Sequence, residues 1–412
     1  MRLHSFRALR PATGKAADVV SPPYDVINTE EARELAAGRP WSFLHVVRPE
    51  IDLEPGASLY TDEVYETGAA NLRRMEESGV LVREEEPAIW LYRLDMGERT
   101  QVGFVGCAEV EDYAQGRIKK HEFTRPEKED DRTRHVDTLS AHTGPVFLTC
   151  RAPEGVAELQ ERLMEGEPVH DVTAHDGVRH RVWRITDGAG LEAISALFAP
   201  VDAFYIADGH HRAASAWRTR DLRRARSPEA PADASFERFL TVVFPDEQLH
   251  ILPYNRVVSD LNGLSSEAFL EQLDAHFVVS EPGASAEPPA RNGFGLYLDG
   301  GWRRMIARTE IAEVKDPVEG LDVALLQTHV LGPLLGIDDP RTSNRIAFVG
   351  GIRGTEELSK RVDQAGEGCA FSLYPTSITE LLDVSDADRV MPPKSTWFEP
   401  KLASGLLINL ID

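Results

Sequence analysis

The run Tyr205-Ile206-Ala207-Asp208-Gly209-His210-His211-Arg212-Ala213-Ala214-Ser215 decides how this chain is read. An apolar β run beginning at Ala203 stops at Asp-Gly, and helix-forming residues follow at once to about Arg226. Gly209 permits a tight turn or a close backbone approach, because it has no Cβ to forbid positive φ. A strand that turns straight into a helix leaves the first helical amides, here those of residues 210–212, as donors without intrahelical acceptors. Such a terminus suits a phosphate. His210, His211 and Arg212 add side-chain donors, and Arg212 can grip phosphate oxygens bidentately. Basic residues in a first helical turn oppose the helix dipole, so three of them together point to a bound anion. Asp208 is placed to hold Mg²⁺ or to orient a histidine. The alternative is an Asp N-cap followed by two surface histidines.

Three further stretches carry candidate chemistry. RIKKHEFTRPEKEDDR (117–132) concentrates Lys120, His121, Arg132 and four more basic residues beside Glu122. It suits a polyphosphate, with Glu122 left for metal or base chemistry; its other reading is a solvated loop and a charged helix start at Thr124 or Pro126. SPPYDVI (21–27) presents Asp25 after two prolines that stiffen the approach. Asp25 is then a general base, a ligand for a substrate amine or an Asx-turn residue. MPPKSTWFEPK (391–401) offers Lys394, Ser395, Thr396 and Lys401 to an anion, with Trp397 and Phe398 as anchors; its other reading is a tail that merely packs. GLDVALLQTH (320–329) opens an amphipathic helix to about Leu335, in which His329 is structural.

The pattern elsewhere is mixed. FLHVV (43–47) reads as a strand, and residues 60–79 as an amphipathic helix stopped by Gly79. Residues 88–95 and 101–110 read as a hairpin through Gly97, and strands follow at 145–150, 180–185, 239–245, 346–349 and 406–411. EPGASAEPPARN (281–292) is a linker or a long surface loop. The expected class is α+β, with one domain over 1–260 and a second over 261–412 that closes the site.

Composition sets the outer bounds. Lys plus Arg number 45 against 68 Asp plus Glu, a net charge of −23, which argues against a nucleic-acid or anionic-lipid surface. Apolar residues at 42% are enough for a core. Three scattered cysteines fit a reducing compartment. The basic N-terminus lacks the apolar run of a secretory signal, and no apolar stretch is long enough to span a bilayer. A cytoplasmic chain with no membrane or nucleic-acid partner is expected, and a homo-oligomer is left open. Walker, GxGxxG, HExxH and GxSxG motifs are missing. Adjacent histidines on one helix cannot both point at one metal, which argues against zinc.

The stretches SPPYDVI, KHEFTRPEKEDDR (120–132), YIADGHHR (205–212), the Leu321-Asp322 helix start and MPPKSTWFEPKLASG (391–405) together resemble the domain of unknown function 1015 family (DUF1015). The Asp-Gly-His-His-Arg turn is also similar to the phosphate-binding turn of the ParB and sulfiredoxin superfamily. The resemblance implies a ParB/sulfiredoxin-like core and phosphoryl transfer to L-serine, with pyrophosphate, ADP or ATP as donor and Mg²⁺ as cofactor. By motif position, Gly209, His210, His211 and Arg212 hold the donor's phosphates. Lys120, His121, Arg132 and the Lys394, Ser395, Thr396 loop neutralise charge, and Asp208 holds Mg²⁺. Asp25, or failing that Glu122, accepts the hydroxyl proton, and His211 is counted with the catalytic groups. His210 stands where sulfiredoxin has its reactive Cys, which puts sulfinic-acid repair in doubt. The alternatives are a non-catalytic nucleotide- or polyphosphate-binding regulator and a phosphohydrolase.

Overall fold

The hairpin expected around Gly97 is the centre of a large sheet in the computed structural model, which describes residues 1–56 and 58–411. Ile89–Met96 and Arg99–Glu109 pair antiparallel from Trp90↔Val105 to Met96↔Arg99. Gly97 takes φ 59°, the left-handed value that a two-residue connection demands. The sheet has eight strands in the order Ile118–Lys119, Phe204–Asp208, Val146–Cys150, Arg238–Pro245, Arg99–Glu109, Ile89–Met96, Arg179–Ile185, His170–Thr173. Two neighbouring pairs run parallel, Phe204–Asp208 with Ile118–Lys119 and Arg238–Pro245 with Val146–Cys150. Phe104, Leu148, Phe204 and Ile206 form one core with Leu159 of helix Val156–Leu163 and Phe198 of helix Gly188–Phe198.

A second core explains the long N-terminal helix. Asp62–Glu77 buries Val64, Tyr65, Leu72 and Met75, a single stripe at helical spacing. Leu72 and Met75 share that core with Leu9, Leu81, Ala141 and Ile408. Those four come from a four-stranded sheet, ordered Leu81–Arg83, Ala8–Pro11, Ile408–Leu410, Ala141–His142. Each large apolar side chain so buried stabilises by about 1.5–3 kcal/mol. FLHVV is a correction: Leu44–Val47 is a short helix, not a strand. Phe43, Leu44, Val46 and Val47 are all buried, and an apolar run without alternation does not separate a buried strand from a buried helix.

The chain divides into two compact units, Met1–Leu249 with Pro400–Asp412, and His250–Glu399. The expected single division at 260/261 thus becomes two divisions, because residues after 399 return to the first unit's sheet. The second unit holds a six-stranded antiparallel sheet ordered Phe277–Val279, Gly301–Ala307, Gly293–Leu298, Cys369–Leu373, Tyr254–Val258, Ile346–Gly350. Helix Glu356–Ala365 lays Leu358 and Val362 into the small core against Tyr297, Val349 and Ala370. Residues 281–292 are a surface loop of this unit, tied by the Gly283 and Ala284 amides to the Trp302 carbonyl. The helix expected to 335 is α-helical only over Asp322–Leu326 and widens to a π turn over Gln327–Leu331. Both units mix α and β, and no helix among the described residues is long and apolar enough to cross a membrane.

Candidate functional site

The strand Phe204–Asp208, Gly209 and the helix His210–Arg226 form the expected junction in the first unit. Gly209 sits at φ 90°, a conformation that a side chain would strain. Just before it, the register against Val146–Cys150 slips between Ile206 and Asp208. Such an irregularity re-aims the next side chain, here Asp208. One Asp208 oxygen accepts the Gly209 amide at 2.8 Å, and the other faces Lys401 Nζ at 2.8 Å. Burial alone would raise this carboxyl. Lys401, its hydrogen bond, Arg212 and the Gly209 amide together hold it well below the usual carboxylate range.

Lys401 lies on a returning strap. Ser404 and Ser21 exchange two backbone hydrogen bonds, at 2.9 and 3.2 Å, so the strap is registered directly against the proline motif that carries Asp25. Deeper in, the Tyr92 hydroxyl accepts the Ala403 amide at 3.1 Å and lies 2.6 Å from His180 Nδ1. Burial pushes His180 down to about 4 and leaves it neutral. The strap continues through Ile408–Leu410 to Ile411, whose carbonyl accepts from Arg223.

Arg212 points across the turn. Its Nη1 donates to the Pro145 carbonyl at 2.9 Å, while Nη2 stands 4.0 Å from Asp25 Oδ1. Two guanidiniums lie over the Tyr24 ring, Arg132 at 4.2 Å and Arg212 at 5.3 Å from its centroid. Asp131 fixes Arg132 at 2.9 Å, and the Tyr65 hydroxyl donates to Asp131 at 3.0 Å. Two adjoining clefts result, and both use Arg212. The smaller, about 300 Å³, is lined by Pro23, Asp25, Asp208, Gly209, Arg212 and Lys401 among others. The larger, about 450 Å³, is lined by Tyr24, Arg132, His142, Arg212, Ser215 and Ser404 among others.

The histidines take a different place from the one expected. His210 Nε2 accepts the His121 amide at 3.4 Å, and His211 Nε2 accepts the Arg125 amide at 3.1 Å. They staple residues 121–125 to the helix start. His121 and His210 are edge to face at 4.5 Å and buried. Burial pushes His121 down to about 4, and burial with the neighbouring His121 holds His210 well below its ordinary value. Both are neutral rings rather than phosphate-binding cations. Glu122 Oε2 stands on this flank, 4.0 Å from His210 Nδ1. Lys120 is exposed and lies over the Tyr113 ring, 5.7 Å from its centroid.

Lys394, Ser395 and Thr396 belong to the second unit. There the Lys394 and Ser395 carbonyls accept from Arg256 and Thr376, the Ser395 hydroxyl donates to the Pro392 carbonyl, and Lys394 Nζ lies over Tyr254. So the structure joins Asp25, Asp208, Gly209 and Arg212 in one cleft, with Arg132 beside them. It adds Lys401, the cation of that proline-braced stretch that the expected site passed over for Lys394. Its signal was the Pro400-Lys401 step, where the chain leaves the loop anchored by Trp397 and Phe398.

At the expected Mg²⁺ ligand, Asp208, one oxygen accepts the Gly209 amide and the other pairs with Lys401, so the carboxylate already faces one cation. Among the described residues, no three His, Cys, Asp or Glu side chains converge as a metal cage.

A mixed α/β chain with a charged cleft at a strand–turn–helix junction is the class that fold and site define. The chain belongs to the family described as protein of unknown function (DUF1015), whose sequence model matches residues 3–324. It is similar to a solved conserved hypothetical protein from Pyrococcus furiosus, at 15% identity over 74% of this chain and 95% of that one, TM-score 0.34. It is also similar to SbnI with a C-terminal truncation from Staphylococcus aureus, at 13% identity over 74% and 87% of the two chains, TM-score 0.38. A free serine kinase in complex with AMP matches at 13% identity over 71% and 86%, TM-score 0.34. No curated protein matches the chain.

Proposed function

We propose that the first unit is a small-molecule phosphotransferase with a hydroxyl acceptor: a serine kinase that makes O-phospho-L-serine from pyrophosphate, ADP or ATP. The observation that carries the reading is the convergence of Asp25, Asp208, Gly209, Arg212 and Lys401 on one cleft. Phosphoryl transfer asks a protein mainly for positioning and charge neutralisation. Arg212 and Lys401 supply two cations beside a helix N-terminus. The 4.0 Å gap between Arg212 and Asp25 is wider than the roughly 2.7–2.9 Å of a charge-assisted hydrogen bond. The guanidinium can therefore turn to a phosphate without breaking a tight pair. Asp208 holds Lys401 in place at 2.8 Å.

In the reaction, the acceptor oxygen bonds to phosphorus as the donor's bridging P–O bond breaks. The hydroxyl proton passes to the Asp25 carboxylate, which is half-exposed and lines the cleft. The leaving group departs as phosphate or the shortened nucleotide. Glu122 is the second candidate base. Mg²⁺ is proposed to arrive on the donor's own phosphates, where it would neutralise leaving-group charge. L-serine and the three donors rest on the family resemblance of the motifs.

Phosphorus NMR of the protein with Mg²⁺ and L-serine, offered pyrophosphate, ADP and ATP in separate samples, tests this reading. A serine-dependent phosphomonoester signal is expected in at least one. Silence in all three from folded protein would favour the non-catalytic binding reading, and serine-independent phosphate release would favour a hydrolase.

A further inference from the structure

His142 stands on the short strand Ala141–His142 and is 7% exposed. The Asn409 side-chain amide approaches its Nδ1 at 3.3 Å, so that nitrogen accepts and the ring proton sits on Nε2. Nε2 is buried and has no hydrogen-bond partner among the described residues. Burial, helped by Arg223, pushes the ring down to about 3, and it is neutral at physiological pH. A buried donor without an acceptor is unfavourable enough that something normally supplies one. His142 lines the larger cleft together with Arg132 and Arg212, and no acid lines that cleft. The smaller cleft differs, because its two cations are matched by Asp25 and Asp208. At Gly144, also on the larger cleft, a Cβ would come within 2.9 Å of Arg212 Nη1, so only glycine leaves that guanidinium its place.

We propose that the larger cleft seats the α-carboxylate of a small amino acid, with His142 Nε2–H and the Arg132 guanidinium as its donors. Arg212 then separates the carboxylate from the phosphoryl group and fixes the distance between them. A monoanion fits here better than a phosphate, since Val47, Val136 and Phe239 form an apolar wall and the helix N-terminus faces the other cleft. Naming this amino acid the acceptor rests on the phosphotransfer reading. The carboxylate site itself does not.

Two arms keep these apart. In the first, protein carrying ¹⁵N-histidine is titrated with L-serine, then separately with serinol, which keeps serine's hydroxyl and amine and carries a hydroxymethyl group in place of the carboxylate. A saturable shift at His142 with L-serine and none with serinol is expected. No shift, or equal shifts, overturns the cleft assignment whatever the enzyme does. In the second, His142→Leu is compared with the native chain in the phosphorus assay. The KM for serine should rise about 10- to 100-fold, as for a lost hydrogen bond to a charged group, with the donor's KM unchanged. An unchanged serine KM overturns the assignment. If the native chain makes no phosphoserine, the phosphotransfer reading falls, and the titration alone decides the cleft. It also decides should His142→Leu not fold.

Discussion

On one side of the Asp208–Arg212 turn, His210 and His211 accept backbone amides from residues 121–125. On the other side, Arg212 and Lys401 face Asp25 and Asp208 across a cleft. In sequence, His210, His211 and Arg212 look like three equivalent anion donors. Burial sets His210 apart. A histidine that is 5% exposed gives up its proton and becomes an acceptor for a neighbouring loop, whereas an arginine keeps its charge at any accessible pH. One flank is scaffold, and the other holds the charge.

The comparison breaks most sharply at Arg212. Arg212→Ala should lower turnover about 1,000-fold, as for a lost phosphate-clamping cation. Its melting point should fall by only a few degrees, since the side chain donates one hydrogen bond to Pro145 and covers Tyr24. A collapse in stability with modest loss of rate would move Arg212 to the scaffold.

Lys401→Met should cost about 100-fold in turnover and change the acid limb of stability. The Asp208 carboxyl is lowered from 3.8, so the stability its partners confer is present above about pH 4 and lost as pH falls further. The melting gap between native chain and variant should therefore be constant from pH 6 to 8 and close below pH 4. A gap that persists in acid would show that Asp208 and Lys401 are not paired.

The scaffold flank sharpens the contrast through a different pH window, with the same loss of stability on acidification but between about pH 6.5 and 4. His4, His121, His135, His142, His170, His180 and His210 all belong to the first unit; burial is the main cause that lowers the first six to about 3–4 and holds His210 well below its ordinary value. The unfolded chain takes up protons from pH 6.5 downward while these rings stay neutral, so stability falls with pH, by up to about 1.4 kcal/mol per unit per ring. Hydrogen exchange at pH 7.5 and 5.0 should show the first unit losing protection in acid before the second. Equal protection at both values would mean that the rings are already charged in the native protein.

The smallest effect is expected at Tyr92→Phe, which strips Ala403 of an acceptor and His180 of a hydrogen-bond partner. A rise of several-fold in the donor's KM through a looser Lys401 is expected, and kcat should change less. A change in kcat alone would argue against the strap as its route.

Much of this was legible in local pattern. The Gly97 hairpin, the helix ending before Gly79 and the strand–turn–helix at Gly209 follow from periodicity and one glycine each. FLHVV was not, because its apolar residues do not alternate. The pairing of Asp208 with Lys401 spans 193 residues and that of Tyr92 with Ala403 spans 311, and no local spacing carries either. The proline-braced stretch was seen to suit an anion. Which of its lysines reaches the turn depends on where the chain crosses from the second unit to the first, between Glu399 and Pro400. That crossing is a tertiary fact.

The strap has a consequence for biogenesis. The turn, the proline motif and every other wall of the smaller cleft lie before residue 250, while Lys401 and Leu402 come after the whole second unit. A nascent chain therefore holds Asp208 and Arg212 without the lysine that completes their charge balance until residues 400–411 have emerged. Pairing of Ser404 with Ser21 is then among the last native contacts to form. A first unit that lacks the strap also lacks Ile408–Leu410, one of the two inner strands of its four-stranded sheet, which leaves Ala8–Pro11 with an unpaired edge.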